Sequence, residues 1–298
     1  MAVKRLHPPR TNFSRLLVSI QPTEGELSKA KSFATSCRKR LNSSFDLRSF
    51  KIIGSHARNE AIRRYSDLDY MAALSKNEAK WGGKIINSDT LTKKVAQDLN
   101  GRYVQTSIRR DAQAVVLSFV GGGHSMDVVP ALFHRFDMQS KRPVYHIPDG
   151  QKGWIETSPE AHNVFIRRAN ASSQGKLVKT SQLIRSWKHS RSQAIPISSF
   201  YISLFLAVSG ICVGAKSYSS ILYSFFDFMR QRDCAGFKDP VNIAGNIYAA
   251  QTTAQLKAVR SAINASFEHS VKAVIAERNR DFLEANRQWN MVFNGSFL

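Results

Sequence analysis

Two carboxylates two residues apart, Asp67 and Asp69 in Tyr65-Ser66-Asp67-Leu68-Asp69-Tyr70, open a strand-like run that continues to Leu74. Side chains at i and i+2 of a strand share a face. Ahead of them a short apolar run, Lys51-Ile52-Ile53, ends in the turn Gly54-Ser55, and a third acid comes later, in His124-Ser125-Met126-Asp127-Val128-Val129-Pro130. A fold that serves this pattern pairs the two acid-bearing strands and leaves the turn beside them. Asp67 and Asp69 then lie about 6.6 Å apart along one strand, and Asp127 about 4.8 Å across from it.

Three acids so placed repel one another, and such a cluster calls for cations. Hard oxygen donors favour Mg²⁺ or Mn²⁺, and two such ions can activate a hydroxyl and steady a leaving phosphate in an in-line displacement. Gly54 lets the backbone approach closely, and the turn amides with the Ser55 hydroxyl offer donors to phosphate oxygens. The ordered triple of Gly-Ser, Asp-x-Asp and a lone Asp resembles the nucleotidyltransferase superfamily that includes DNA polymerase beta.

The chain has 298 residues, enough for two lobes with ample core. Met1 to Arg10 is basic and lacks an apolar signal region, and Cys37, Cys212 and Cys234 form no C-x-x-C pair, so a cytoplasmic location is expected without a zinc site. Ile197 to Ala215 is apolar but interrupted by serines, and reads as a buried helix with no role for a membrane.

Residues 1–26 read as a loose basic arm with an amphipathic piece from Phe13 to Ile20. Thr23 caps a helix through about Leu41, behind the acid-bearing strands. A helix is expected from Asn87 to Asn100, strands over Arg102 to Thr106 and Ala114 to Val120, and a turn at Gly121-Gly122-Gly123. Tyr145 to His162 reads as loop-rich. Beyond the polar break Asn170-Ala171-Ser172-Ser173-Gln174-Gly175 the pattern is helical, with pieces at Leu177 to His189, Ser199 to Val208 and Tyr218 to Arg230, and one long helix from about Thr252 to Phe293. The expected class is α+β: a two-lobed nucleotidyltransferase with a small mixed sheet backed by helices (1–170, with the N-terminal helix) and a helical C-terminal lobe (171–298).

Further segments sharpen the resemblance: Ile147-Pro148-Asp149-Gly150, Trp154-Ile155-Glu156-Thr157-Ser158-Pro159, Ile184-Arg185-Ser186-Trp187-Lys188, Ser199-Phe200-Tyr201 and Asp239-Pro240-Val241-Asn242. Together with the acid triple they look like the bacterial cyclic-oligonucleotide synthases of anti-phage signalling, relatives of cyclic GMP-AMP synthase and oligoadenylate synthetase. The resemblance implies that Asp67, Asp69 and Asp127 bind two Mg²⁺ (or Mn²⁺), with Asp127 taking the proton from the attacking hydroxyl. It also implies that Gly54 and Ser55 hold the donor triphosphate, helped by Ser199 and by a basic side chain that is either Arg185 or Lys188. The substrates would be NTPs, ATP and/or GTP, and the product a cyclic di- or trinucleotide messenger read by a separate effector protein.

One position departs from that pattern. Glu60 stands where the family usually has a small hydroxyl residue, and its charge would cost phosphate binding unless it points away or pairs with Arg63 or Arg64. Tyr201 is open to two readings, base stacking or core packing. Trp154 and Trp187 read as packing, and neither His56 nor His124 is assigned as a base.

Lys plus Arg number 43 against 22 acids, a net charge of +21. Basic groups recur at Arg38-Lys39-Arg40, Arg63-Arg64, Lys93-Lys94, Arg109-Arg110, Arg167-Arg168 and Lys188-His189-Ser190-Arg191. They are either a solvated surface or a polyanion-binding face, for which structured RNA that switches on catalysis is the favoured partner. Two other functions fit the residues: a superfamily enzyme that adds nucleotides to RNA or a small molecule, and a catalytically idle nucleic-acid-binding protein.

Overall fold

Strand β2 (Leu68–Leu74) is apolar on both faces, which places it at the centre of a sheet covered on both sides. The computed structural model describes residues 7–103, 106–119 and 125–298, so the expected turn at Gly121-Gly122-Gly123 and His124 lie outside the described residues. Contacts divide the chain into two units: Pro22–Val164 with Val241–Gly245, and Met1–Gln21 with Phe165–Pro240 and Asn246–Leu298.

The first unit holds a mixed sheet. Helix α1 (Pro9–Ser19) precedes it in sequence; then come α2 (Glu24–Ser44), β1 (Leu47–Ile52), the single turn α3 (Gly54–Ala57) and β2. A small hairpin of β3 (Lys80–Trp81) and β4 (Lys84–Ile85) leads to α4 (Ser88–Arg102), followed by β5 (Ser107–Asp111), β6 (Ala114–Ser118), β7 (Met126–Asp137), β8 (Arg142–Pro148) and β9 (Trp154–Thr157). Strand order is β1-β2-β7-β6-β5, with β8 on the far part of β7 and β9 on β8. Among the described residues only β2 and β7 run parallel; their register sets Asp69 opposite Asp127 and continues without a break to Leu74 and Leu132.

Helix α2 begins with the reciprocal cap expected of Thr23, whose hydroxyl accepts the Glu26 amide while Glu26 reaches back to the Thr23 amide. Its buried Ala30, Ala34, Cys37 and Leu41 pack on Leu68, Tyr70, Ala72 and Leu74 of β2, together with Leu91, Val95 and Leu99 of α4. Arg40 holds Asp98 at 3.0 Å, joining the two helices. The other face of β2 packs Met71 and Ala73 against Ala131 and Tyr145.

The second unit is helical: α1, α6 (Lys176–His189), α7 (Ser199–Ser209), α8 (Tyr218–Gln231), a two-strand ladder of β10 (Phe237–Lys238) and β11 (Asn246–Ile247), α9 (Thr253–Arg278) and α10 (Phe282–Val292). The division between units falls within α5 (Pro159–Ser172). No helix among the described residues is long and apolar enough to cross a membrane.

Several expectations are corrected. The N-terminal arm is helical from Pro9 and groups with the late helices, because Phe13 is fully buried among Tyr218, Trp289, Phe293 and Phe297. Helix α4 runs through Gly101 to Arg102, so the strand expected over Arg102 to Thr106 is helical at its start; residues 104 and 105 lie outside the described residues, and β5 is described from Ser107. The segment from Tyr145 to His162 contains most of β8, all of β9 and the start of α5. The long C-terminal helix is two helices, parted where Arg280 takes a positive φ of 59° and Asp281 caps α10.

Candidate active site

The turn after β1 is shaped around Asp69. Ile53 donates its amide to the Asp69 carbonyl at 2.8 Å. Gly54 then adopts φ +64°, and a Cβ at that position would stand 2.0 Å from Asp69 Oδ2. A glycine is required here on two counts, backbone conformation and space for a carboxylate. Ser55 follows, buried, and its carbonyl accepts the Glu60 amide at 2.9 Å.

Asp67 is exposed just ahead of β2, and the Ser125 hydroxyl donates to its carboxylate. Leu68 donates its amide to the Ser125 carbonyl at 3.0 Å, so the residue two before Asp127 fixes the residues around Asp67 from both side chain and backbone. The three acids are thereby brought together at the leading ends of β2 and β7. Burial, then the like charges of Asp67 and Asp111, push the Asp127 carboxyl up to about 6, against a smaller opposing pull from Arg109. One oxygen of Asp127, Oδ1, is buried without a hydrogen-bond partner among the described residues. A half-buried acid with acidic neighbours and an oxygen left over suits a divalent cation and hard oxygen donors. The residues present therefore fit a metal site.

Glu60 is removed from the phosphate question by burial. It is fully buried and its partner is Arg58, at 2.9 Å, rather than Arg63 or Arg64. Asn59, at φ 59°, supplies the backbone turn that lets residues i and i+2 meet. Arg63 pairs with Glu26 instead.

In the helical unit, Arg185, Lys188 and Ser199 come together where α6 meets α7. Arg185 is buried and donates to Ser181 Oγ, the Ser199 carbonyl and Ser203 Oγ at 3.1–3.3 Å. Lys188 Nζ is 3.2 Å from the Ser199 hydroxyl, and burial, helped by Arg185, lowers it to about 8. Tyr201 is taken out of the reading as a stacking platform: it is 1% exposed, lies against Phe205, and its hydroxyl donates to the Ala235 carbonyl at 2.8 Å. Trp187 donates to Ser266 and Trp154 to the Ile86 carbonyl, which is packing in both cases. Sequence reasoning passed over Ser125 and Arg58; the hydroxyl two residues before Asp127 was a legible signal, whereas nothing in the Arg58-Asn59-Glu60 string announces a buried pair.

Of the basic pairs, Lys93 and Arg110 both reach Asp89, and Arg109 reaches Asp111. Arg38, Lys39, Arg64, Lys94, Arg167 and Arg168 are exposed.

Over its length the chain is similar to a cyclic AMP-AMP-AMP synthase from Escherichia coli (strain MS 115-1), 23% identical over 85% of this chain and 84% of the relative. Its fold is shared with the structure of E. coli MS115-1 CdnC with ATP, TM-score 0.75 at 20% identity, covering 97% of this chain and 98% of the other. It is shared also with Bradyrhizobium diazoefficiens CdnG in complex with GTP, TM-score 0.67 at 13% identity, covering 97% and 98%. The family model described as the second messenger oligonucleotide or dinucleotide synthetase domain matches residues 8–170, more than half of the chain, and with it the Gly-Ser turn and all three acids. The chain therefore belongs to the second messenger oligonucleotide or dinucleotide synthetase family, nucleotidyltransferases that make cyclic oligonucleotides.

Proposed function

We propose that this nucleotidyltransferase joins nucleoside triphosphates into a cyclic di- or trinucleotide, with release of pyrophosphate and with Asp67, Asp69 and Asp127 holding two Mg²⁺ or Mn²⁺. The observation that carries the reading is the pairing of Asp69 with Asp127 across β2 and β7, with an oxygen of Asp127 left without a hydrogen-bond partner among the described residues. ATP is the substrate to test first, since the curated relative is a cyclic AMP-AMP-AMP synthase and CdnC has a structure with ATP.

When bound, the ions neutralise phosphate charge and favour the ionised hydroxyl. The chain's own groups do the rest. Ser55 and the turn amides hold phosphate oxygens, and Gly54 leaves Asp69 the room to keep its carboxylate in place. Ser125 orients Asp67. Asp127 accepts the proton of the attacking ribose hydroxyl as that hydroxyl's oxygen bonds to the α phosphorus and the bond to pyrophosphate breaks. Lys188 rather than Arg185 contacts phosphate together with Ser199, because Nε and Nη2 of Arg185 are turned to oxygens of α6 and α7. A second round closes the ring.

The exposed basic residues support a further part of the proposal, activation by structured RNA, and the family resemblance supports a cytoplasmic anti-phage role in which a separate effector reads the product. The test is incubation with four labelled NTPs and Mg²⁺ or Mn²⁺, with and without duplex RNA, followed by phosphatase and mass spectrometry, beside an Asp67→Ala/Asp69→Ala control. A phosphatase-resistant cyclic product absent from the control is expected. A linear product would assign the chain to nucleotide addition instead, and RNA binding with no NTP turnover to an idle binding protein.

A further inference from the structure

On the sheet face opposite Asp127, three successive strands bring His134, His146 and Glu156 together. His146 of β8 is the cross-strand partner of Glu156 on β9 and of Leu132 on β7. Leu132 is five residues from Asp127 along an unbroken register with β2, which puts the two on opposite faces. A bulge in β7 between Phe133 and Arg135 then suspends the alternation that would send His134 and Arg135 apart. Both reach the same carboxylate: His134 Nε2 lies 3.1 Å from Glu156 Oε1, and Arg135 Nη2 donates to Oε2 at 2.9 Å. The His134 and His146 rings are stacked, with centroids 4.0 Å apart. One ligating atom from each of the three residues lies within 4.8 Å of the others.

We propose that His134, His146 and Glu156 form a site for one divalent transition-metal ion of the zinc type, separate from the catalytic acids. Zinc bonds of about 2.0–2.2 Å put neighbouring ligand atoms about 3.0–3.5 Å apart. His134 and Glu156 already have that spacing, and rotation of His146 out of the ring stack closes the remainder. Side-chain exposures of 33% for His134 and 32% for Glu156 leave room for that movement and for water in a fourth position. Two imidazoles and a carboxylate select a borderline ion, whereas Mg²⁺ prefers all-oxygen sites such as the Asp cluster. Arg135 serves as the outer partner that fixes the carboxylate. The ion ties β9, the last strand of the sheet, to β8 and to the bulged part of β7.

The test is chelator stripping of the untagged full chain, dialysis against Zn²⁺ in excess Mg²⁺, and metal counting by elemental mass spectrometry. One zinc per chain is expected in the native protein and in the Asp67→Ala/Asp69→Ala variant, with affinity reduced at least about tenfold in Glu156→Gln and in His146→Ala. Absence of zinc from the native protein overturns the site and leaves a plain ion-pair cluster. So does equal uptake by the native chain and folded Glu156→Gln and His146→Ala variants. Should either substitution unfold the chain by circular dichroism, the Co²⁺ spectrum of the native protein decides: nitrogen-ligand bands with raised intensity support the site, and an all-oxygen spectrum overturns it.

Discussion

The acid end of β2 and β7 and the meeting of α6 with α7 both bury charge, and they treat it in opposite ways. Asp127 faces mainly its own sign and keeps an oxygen without a protein partner among the described residues. Arg185 is at least as buried, yet three N–H groups of its guanidinium go to oxygens of its own unit. Lys188, one turn later, has three donors and, among the described residues, a single hydroxyl partner. Burial by itself does not mark a functional charge; what marks it is burial without an internal answer. By that rule we read Arg185 as a brace, and propose Asp127 and Lys188 as the groups that take a ligand.

The sharpest way to break this contrast is at the acids. Asp69→Ala or Asp127→Asn should lower synthesis by at least about 10³-fold, read as cyclic product. Asp127→Asn should at the same time stabilise the metal-free protein. The folded carboxyl, at about 6, lies above its ordinary value. Its contribution to stability is present below pH about 4 and is lost as pH rises through about 6. Removing the charge should return about 1–2 kcal/mol at pH 8, a figure reduced for solvent screening, seen as a higher melting temperature. A less stable Asp127→Asn protein would mean that the acid is answered internally after all.

Next come the two cations. Arg185→Ala removes three hydrogen bonds made by a buried charge and should cost about 2–4 kcal/mol in chemical denaturation. Lys188→Ala should cost under about 1 kcal/mol but raise the KM for NTP about tenfold or more. The reverse pattern would exchange their roles. Gly54→Ala, forced into φ +64° with its Cβ on the Asp69 carboxylate, should lose about 10- to 100-fold in activity for a stability cost of only about 1–2 kcal/mol.

A smaller effect is a pH limb. Lys188 is charged below pH about 8, so kcat/KM should hold up to that pH and fall a few-fold over the next unit, while Lys188→Arg carries the plateau higher. Least of all, Tyr201→Phe should lose about 1 kcal/mol of stability with its hydrogen bond to Ala235 and leave the kinetics unchanged. A shift in base preference would put the ring at the substrate.

The pairing of the two acid-bearing strands and the tight turn at Gly54 were legible because strand periodicity and turn chemistry are local there. Thr23 was legible because its reciprocal cap is local. Where the sequence misled, the deciding contact was distant or the signal was mixed. Phe13 finds its partners near the other end of the chain, which no window of residues reveals. β8 and β9 carry Pro143, Pro148, Gly150 and Gly153, punctuation that reads as loop but here sits at strand ends and the turn between them. The break after Arg278 contains neither glycine nor proline, only an arginine tolerating a left-handed conformation before a capping aspartate. The preference proposed here for Lys188 over Arg185 rests on where neighbouring helices put their hydroxyls, a tertiary matter that the Trp-centred motif does not encode.

The parallel pairing of β2 with β7 has a bearing on how the protein is made. Asp69 and Asp127 lie far apart in sequence, and all of α4, β5 and β6 must be synthesised before they can stand side by side. Contacts of that separation close late. A nascent chain on the ribosome, or a product of premature termination before Asp127, thus carries the Asp-x-Asp pair without its counterpart. Under the function proposed above, such a chain has no route to ring closure, and that ordering keeps unfinished copies silent.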